Sequence, residues 1–202
     1  MEKPFAESCA ENRGPIFTVL EPRLRHRRRL LEIGSGTGQH AAYFAPLLPN
    51  LTWQTSDMPS QHDGINAWID AAGVGNIMRP LALDVLTDRW PVQRYDAVFS
   101  ANTAHIMGER AVEAMFDGVG QVLEDGGEFL LYGPFNYHGE FSAPSNASFD
   151  QWLRQRDPQM GIRDLDWLRE LAEAAAMDLA EDLEMPVNNR TLVWRRRPRV
   201  AA

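Results

Sequence analysis

Two periods of apolar residues alternate along this chain of 202 residues. Short runs rich in Leu, Ile, Val and Phe at 30–33, 51–55, 78–83, 95–100 and 128–132 read as buried strands. Helical spacing separates them at 40–48, 65–72 and 109–123. Upstream, 5–12 reads as a short helix that Gly14-Pro15 breaks. A second helix restarts on the proline, with Ile16, Phe17, Val19, Leu20 and Leu24 as its apolar residues. A segment rich in Gly, Pro, Ser and Asn covers 133–148 and leads to helices at 149–154 and 165–177. The last elements are β-like segments at 179–184 and 191–195 around the turn 185–189.

Strands alternating with helices predict a parallel sheet covered on both faces, and a pair joined by so short a turn has to be antiparallel. The expected fold class is α/β: a doubly wound, mostly parallel seven-stranded sheet with an antiparallel C-terminal strand. One domain is expected over 1–202, with 1–28 as an N-terminal helical lid and 133–163 as a loop-and-helix insertion on the substrate side. A content of 44% hydrophobic and 24% charged residues suits one globular domain. The single cysteine, Cys9, excludes an internal disulfide framework. The chain starts Met-Glu-Lys-Pro-Phe without an apolar signal segment, and no apolar run reaches membrane length. A cytoplasmic protein with no membrane contact, monomeric or a homodimer, is the expectation. The net charge of −8 argues against broad nucleic-acid binding. The basic runs 23–29 and 195–199 read as solvated charge beside the sheet, since no aromatics are interleaved with them.

Candidate chemistry begins where the first strand ends. Leu30-Leu31-Glu32-Ile33 runs into Gly34-Ser35-Gly36-Thr37-Gly38, and a helix pattern follows. A strand, a glycine turn and a helix start make a nucleotide-sized site at the carboxyl edge of an α/β sheet. A dinucleotide fingerprint would need glycine where Gln39 stands. The spacing E-x-G-x-G-x-G instead resembles motif I of class I methyltransferases that use S-adenosylmethionine (SAM), a ligand with no pyrophosphate to cradle. The remaining strand ends carry compatible groups. Asp57, followed by Met58, can accept two ribose hydroxyls, or else cap the next helix. Asp84 can accept an adenine amino group while Val85 packs the ring, and Ala101-Asn102 end the fourth strand.

A wider set of pieces resembles one family. These are 11–16 (Glu-Asn-Arg-Gly-Pro-Ile), Gly36-Thr37-Gly38-Gln39-His40, Trp53-Gln54-Thr55-Ser56-Asp57 and Leu83-Asp84-Val85. Further on come Asn102-Thr103-Ala104-His105-Ile106, Leu131-Tyr132-Gly133-Pro134-Phe135, Ser145-Asn146 with Phe149-Asp150, and Met185-Pro186-Val187-Asn188-Asn189. In that order they look like the methyltransferase-like 26 family, and the likeness runs from about residue 5 to 195. It implies a Rossmann-like class I fold, SAM as cofactor and methyl transfer, without naming an acceptor.

Methyl transfer needs an acceptor aligned with the sulfur–methyl axis, water kept out, and a base where the acceptor is protonated. His105 is the first candidate for that base, with Tyr137 and Tyr132 beside it as catalytic candidates. Helix capping for the histidine and core packing for Tyr132 are the structural alternatives. Asn12, Arg13, Tyr132, Tyr137, Asn188 and Asn189 are expected to hold the acceptor, Arg13 by pairing with a carboxylate. Arg154, Arg156 and Asp157 read as a surface ion-pair group. No metal site is expected: His138 and Glu140 with His62 or Asp63 give only a faint ligand pattern. The expected function is transfer of a methyl group from SAM to a small polar or aromatic metabolite. The alternatives are a SAM-binding partner protein without catalysis, or a methyltransferase of protein or RNA.

Overall fold

The computed structural model describes residues 3–199. An opening helix α1 (Glu7–Leu24) is followed by β1 (Arg29–Ile33), α2 (Gln39–Phe44), β2 (Thr52–Asp57), α3 (His62–Ala72) and β3 (Ile77–Ala82). Next come β4 (Tyr95–Ala101), α4 (Glu109–Val122), β5 (Leu123–Gly133) and the short β6 (Phe135–Asn136). Helix α5 (Pro144–Arg156), β7 (Arg163–Asp164), α6 (Leu165–Ala174), β8 (Met177–Met185) and β9 (Asn189–Arg196) complete the order. Seven strands form one sheet in the order β3-β2-β1-β4-β5-β9-β8, and β6 pairs with β7 apart from it. Pairing is parallel from β3 to β5, while β9 is antiparallel to both β5 and β8. The doubly wound sheet with its antiparallel finish is therefore the one the alternation of periods predicts. Among the described residues, no helix is long and apolar enough to cross a membrane.

Successive strand residues face opposite layers, and the core divides accordingly. Leu31, Ile33, Val98, Phe129, Leu131, Leu192 and Trp194 pack with α4 and α6. Leu30, Trp53, Phe99, Leu130 and Val193 pack with α1, α2 and α3.

Three elements differ from the sequence expectation. Helix α1 passes through Gly14-Pro15 unbroken and contains Pro22 as well. Pro15 has no N–H to give the Glu11 carbonyl, a loss that ends many helices. Here Ile16, Leu20 and Leu24 fall on one face at four-residue spacing and are all buried against the sheet, which holds the helix together. Helix α5 starts at Pro144, where proline suits the first helical turn, rather than at residue 149. Strand β5 follows α4 directly at Leu123, and its pairing with β4 shifts register between Tyr95 and Ala97.

A buried carboxylate interrupts the apolar pattern on the α1–α3 face. Glu32 is 2% exposed, and its Oε2 accepts bonds from Ser35 Oγ and Trp53 Nε1, each at 2.9 Å. Burial pushes its carboxyl from 4.5 to about 7 against the lowering effect of those two bonds, with Asp57 adding a smaller push upward. A folded-state value above the unfolded one stabilises the protein at acid pH and is lost as pH rises through the folded value. The shift corresponds to about 3 kcal/mol. In Glu32→Gln, an amide that cannot ionise accepts the same two bonds. Chemical denaturation between pH 4.5 and 8 should show the wild type losing stability relative to the variant as pH rises. Parallel profiles would disprove the assignment.

Candidate functional site

The turn between β1 and α2 is built from left-handed glycines, with φ of 68° at Gly34, 57° at Gly36 and 90° at Gly38. Side chains and main chain clamp it. Ser35 Oγ donates to Glu32 and accepts from Ser56 N–H, while Ser35 N–H donates to the Ser56 carbonyl. Asp57, at the end of β2, accepts from Gly36 N–H on one oxygen and from Met58 N–H on the other, both at 2.7 Å. Asp57 therefore shapes the turn instead of capping the next helix, and each oxygen keeps a lone pair for a further donor. Burial raises its carboxyl, and those backbone bonds pull it back down. A Cβ on Gly36 would meet nothing within 4 Å, whereas one on Gly38 would lie 2.9 Å from Ile65 Cα. The first marks open space beside the turn, the second close packing behind it. Thr37 Oγ1 donates to Gln39 Oε1.

At the next strand ends, Asp84 accepts from Leu86 N–H at 2.9 Å through Oδ1, and Val85 packs on the α4–α6 core. Asn102, with φ of 57°, turns the chain out of β4 as its N–H donates to the Tyr132 carbonyl. Ala101 precedes it and packs against the opposite core.

A cavity of about 710 Å³ opens on this edge of the sheet. Asn102, His105 and Tyr132 contribute to its lining, as do Asn12 from α1, Phe149 and Trp152 from α5, and Asn189 from the hairpin. His105 is 7% exposed, and its ring stands edge-on to Phe149 at 5.3 Å. Burial first, then the nearby Arg163 guanidinium, lower its value to about 4, so the ring is neutral at ordinary pH. Burial pushes the Tyr132 phenol up to about 12, opposed by a bond with Asn12.

Several residues overlooked in the sequence hold this cavity in shape. Arg163, 3% exposed, donates to the carbonyls of Ala104, Met107 and Gln159, and Gly161 N–H donates to the His105 carbonyl. Those bonds fasten the chain after α5 to the His105 turn. Asn146 Nδ2 donates to the Asn188 carbonyl, while Asn188 Nδ2 donates to Ser145 Oγ. The hairpin is thereby clipped to the start of α5. On the other wall, His40 Nε2 lies 2.8 Å from Asn12 Oδ1, and Gln39 bonds both backbone groups of Ala6. Gln39 and His40 stood inside the quoted motif, which was the available signal. Arg163 had none.

Of the residues expected to hold the cofactor, Asn102 alone lines the cavity, and three expected on the acceptor side lie elsewhere. Tyr137 does not line the cavity, because its hydroxyl donates to Asp182 at 2.8 Å and Arg190 lies over its ring. Burial and that acid push its phenol up to about 12. Arg13 is exposed on α1 and stacks on Tyr43 at 4.5 Å and, among the described residues, forms no ion pair with a carboxylate. Asn188 supports the wall through its bond to Ser145, while its neighbour Asn189 lines the cavity. His138, from the faint metal pattern, bonds Asp166 at 2.7 Å.

A family model described as "Protein of unknown function (DUF938)" matches residues 3–196. The chain belongs to the DUF938 family. Its fold is that of class I methyltransferases. An O-methyltransferase family protein from Burkholderia thailandensis superposes with a TM-score of 0.83 at 16% identity, over 95% of this chain and 58% of that one. Mitomycin 7-O-methyltransferase gives 0.81 at 15% identity, over 94% and 54%. Human N-acetylserotonin methyltransferase, solved in complex with SAM, gives 0.76 at 14% identity, over 95% and 53%. The DUF938 chain thus spans a little over half the length of these solved structures.

The two glycines separate strain from steric exclusion. Gly36→Ala meets only the cost of a left-handed alanine, about 1–2 kcal/mol. Gly38→Ala adds a collision with the Ile65 backbone and should cost roughly 1–3 kcal/mol more. Urea denaturation of both variants checks the order, and equal losses would refute it.

Proposed function

We propose that this DUF938 chain is a SAM-dependent methyltransferase acting on a small acceptor. The observation that carries the reading is the pair of features at the strand ends: a clamped glycine turn with Asp57, and a 710 Å³ cavity that they do not line but that Asn102, at the end of β4, does. The resemblance to the methyltransferase-like 26 family supports it, as does the likeness of the fold to proteins named as O-methyltransferases. The residues present suit the cofactor. Asp57 retains acceptor capacity for ribose hydroxyls, the Gly36 position faces open space, and Asp84 and Val85 can meet an adenine. SAM bound there supplies a methyl group activated by a sulfonium.

The chain's own residues do the rest. Ile106, Phe149, Trp152 and Met160 give the cavity an apolar lining against which an acceptor can pack. Asn12, Asn102, Tyr132 and Asn189 offer hydrogen bonds that orient an acceptor. His105 is neutral and, among the described residues, free of a side-chain partner, so it can accept the acceptor's proton as the new bond to carbon forms.

S-adenosylhomocysteine should raise the melting temperature of the wild type while NADH does not, and Asp57→Ala should abolish the shift. Absence of a shift with both SAM and S-adenosylhomocysteine would end the reading. Labelled SAM incubated with fractionated extract should yield a methylated small molecule. His105→Gln should slow its formation roughly a hundredfold while the S-adenosylhomocysteine shift persists. The wild-type rate should fall on acidification near pH 4, the His105 value, and not near 6.5. Transfer only to protein or RNA in that extract would overturn the small-acceptor assignment.

A further inference from the structure

Helix α5 lays three side chains along the cavity in succession: Phe149, Trp152 and Arg156. Their spacing of three and four residues keeps them on one face, which extends about 10 Å along the helix. The Phe149 and Trp152 rings are nearly parallel, 18° apart with centroids at 5.8 Å, and form an offset aromatic stack beside the cavity. The inner end of that wall meets the His105 ring. At the outer end the Arg156 guanidinium lies over Trp152 at 4.7 Å.

The ion-pair group expected at this place does not form. Arg154 pairs with the buried Asp150 at 2.7 Å, and Asp157 accepts from Gln159 N–H. Among the described residues, Arg156 has no carboxylate within ion-pair distance. Its cation is stacked and oriented yet uncompensated at the rim of an apolar cavity. The other charged residue lining the cavity, Glu11, comes from α1, and His105 is neutral. Ile106, Trp152 and Val187, at 50%, 48% and 85% exposure, surround the same cavity with apolar surface open to solvent. Val187 is held there with φ of 60°, a conformation that β-branched residues rarely adopt. Exposed apolar surface around a cavity with one free cation matches a ligand that is flat, apolar and anionic at one end.

We propose that the methyl acceptor is an aromatic acid. Its ring packs against the Phe149–Trp152 stack, its anionic group pairs with Arg156, and its reacting end reaches toward His105. This proposal rests on the methyltransferase reading for the word acceptor, but the ligand class stands on the cavity alone.

Calorimetric titration of the full chain, with and without S-adenosylhomocysteine, tests it with matched probes. These are para-coumarate against para-coumaryl alcohol, and a hydroxynaphthoate against the corresponding hydroxynaphthyl methanol. Each acid should bind roughly fivefold or more tightly than its alcohol at low salt, and the preference should shrink as salt rises. Arg156→Gln should erase the preference and leave alcohol affinity in place, while Arg156→Lys keeps part of it. Trp152→Ala should weaken acid and alcohol alike. Equal affinity for acid and alcohol, a preference that survives Arg156→Gln, or no binding of either acid at millimolar concentration overturns the proposal. The thermal shift with S-adenosylhomocysteine separates the two readings. A shift without acid preference removes the aromatic acid alone, whereas acid preference without a shift removes methyl transfer and keeps the ligand class.

Discussion

Two acids hold the turn on which the site is built. Three left-handed glycines permit several arrangements of the backbone between β1 and α2, and only fixed partners select one. Glu32 supplies a buried acceptor beneath it for Ser35, and Asp57 supplies another at its side for Gly36. Elements beyond the turn inherit this order. Gln39 and His40 begin the helix that the turn launches, and they grip Ala6 and Asn12 at the far end of the chain. The position of α1, and with it one wall of the cavity, is set by the geometry of five residues between 34 and 38.

The opposite wall depends on a different kind of fastening. The stretch from β6 to β7 lies outside the main sheet and pairs with itself through only two residues per strand. It is joined to the sheet edge by Arg163, which donates to carbonyls on both the 104–107 turn and Gln159. A buried guanidinium is costly to desolvate unless its donors are used, and three carbonyls with Glu109 at 3.6 Å satisfy this one. With the hairpin clip at Asn146 and Asn188, this converts a loop-rich insertion into a rigid wall. The aromatic face of α5 has a fixed orientation for that reason.

The sheet, its order of strand types and the glycine turn were legible because period and turn chemistry are local signals. Asp57 was legible as a strand-end acid, although its grip on Gly36 was not, since backbone bonding between adjacent strand ends leaves no mark on spacing. His105 and Tyr132 were found because titratable groups near strand ends stand out. Tyr137 misled for the same reason: it follows a strand end, but just beyond the short strand β6 its hydroxyl bonds Asp182. Helix α1 was misread at Gly14-Pro15 because tertiary burial of Ile16 and Leu20 outweighs a local breaker. The wall of α5 was hidden by composition. Pro144, Ser145 and Asn146 resemble loop residues until their side chains are seen to serve the hairpin.

Among the described residues lining the cavity, charge is confined to Glu11 and Arg156, with His105 neutral. A cationic methyl donor is repelled by any positive charge near the transferring carbon, and burial keeps the imidazole of His105 uncharged at all but acid pH. Arg163, the cation closest to it, spends its hydrogens on carbonyls behind the turn. Arg156 stands at the far end of the aromatic face, about 10 Å along the helix from Phe149. In the proposed reading, the donor's sulfonium and the Arg156 guanidinium would both favour an acceptor that carries negative charge. The proposed aromatic acid would meet that requirement better than a neutral or cationic molecule. The same burial that makes His105 a weak base removes the charge that would oppose a sulfonium donor. Weak basicity and compatibility with the sulfonium therefore have one physical cause.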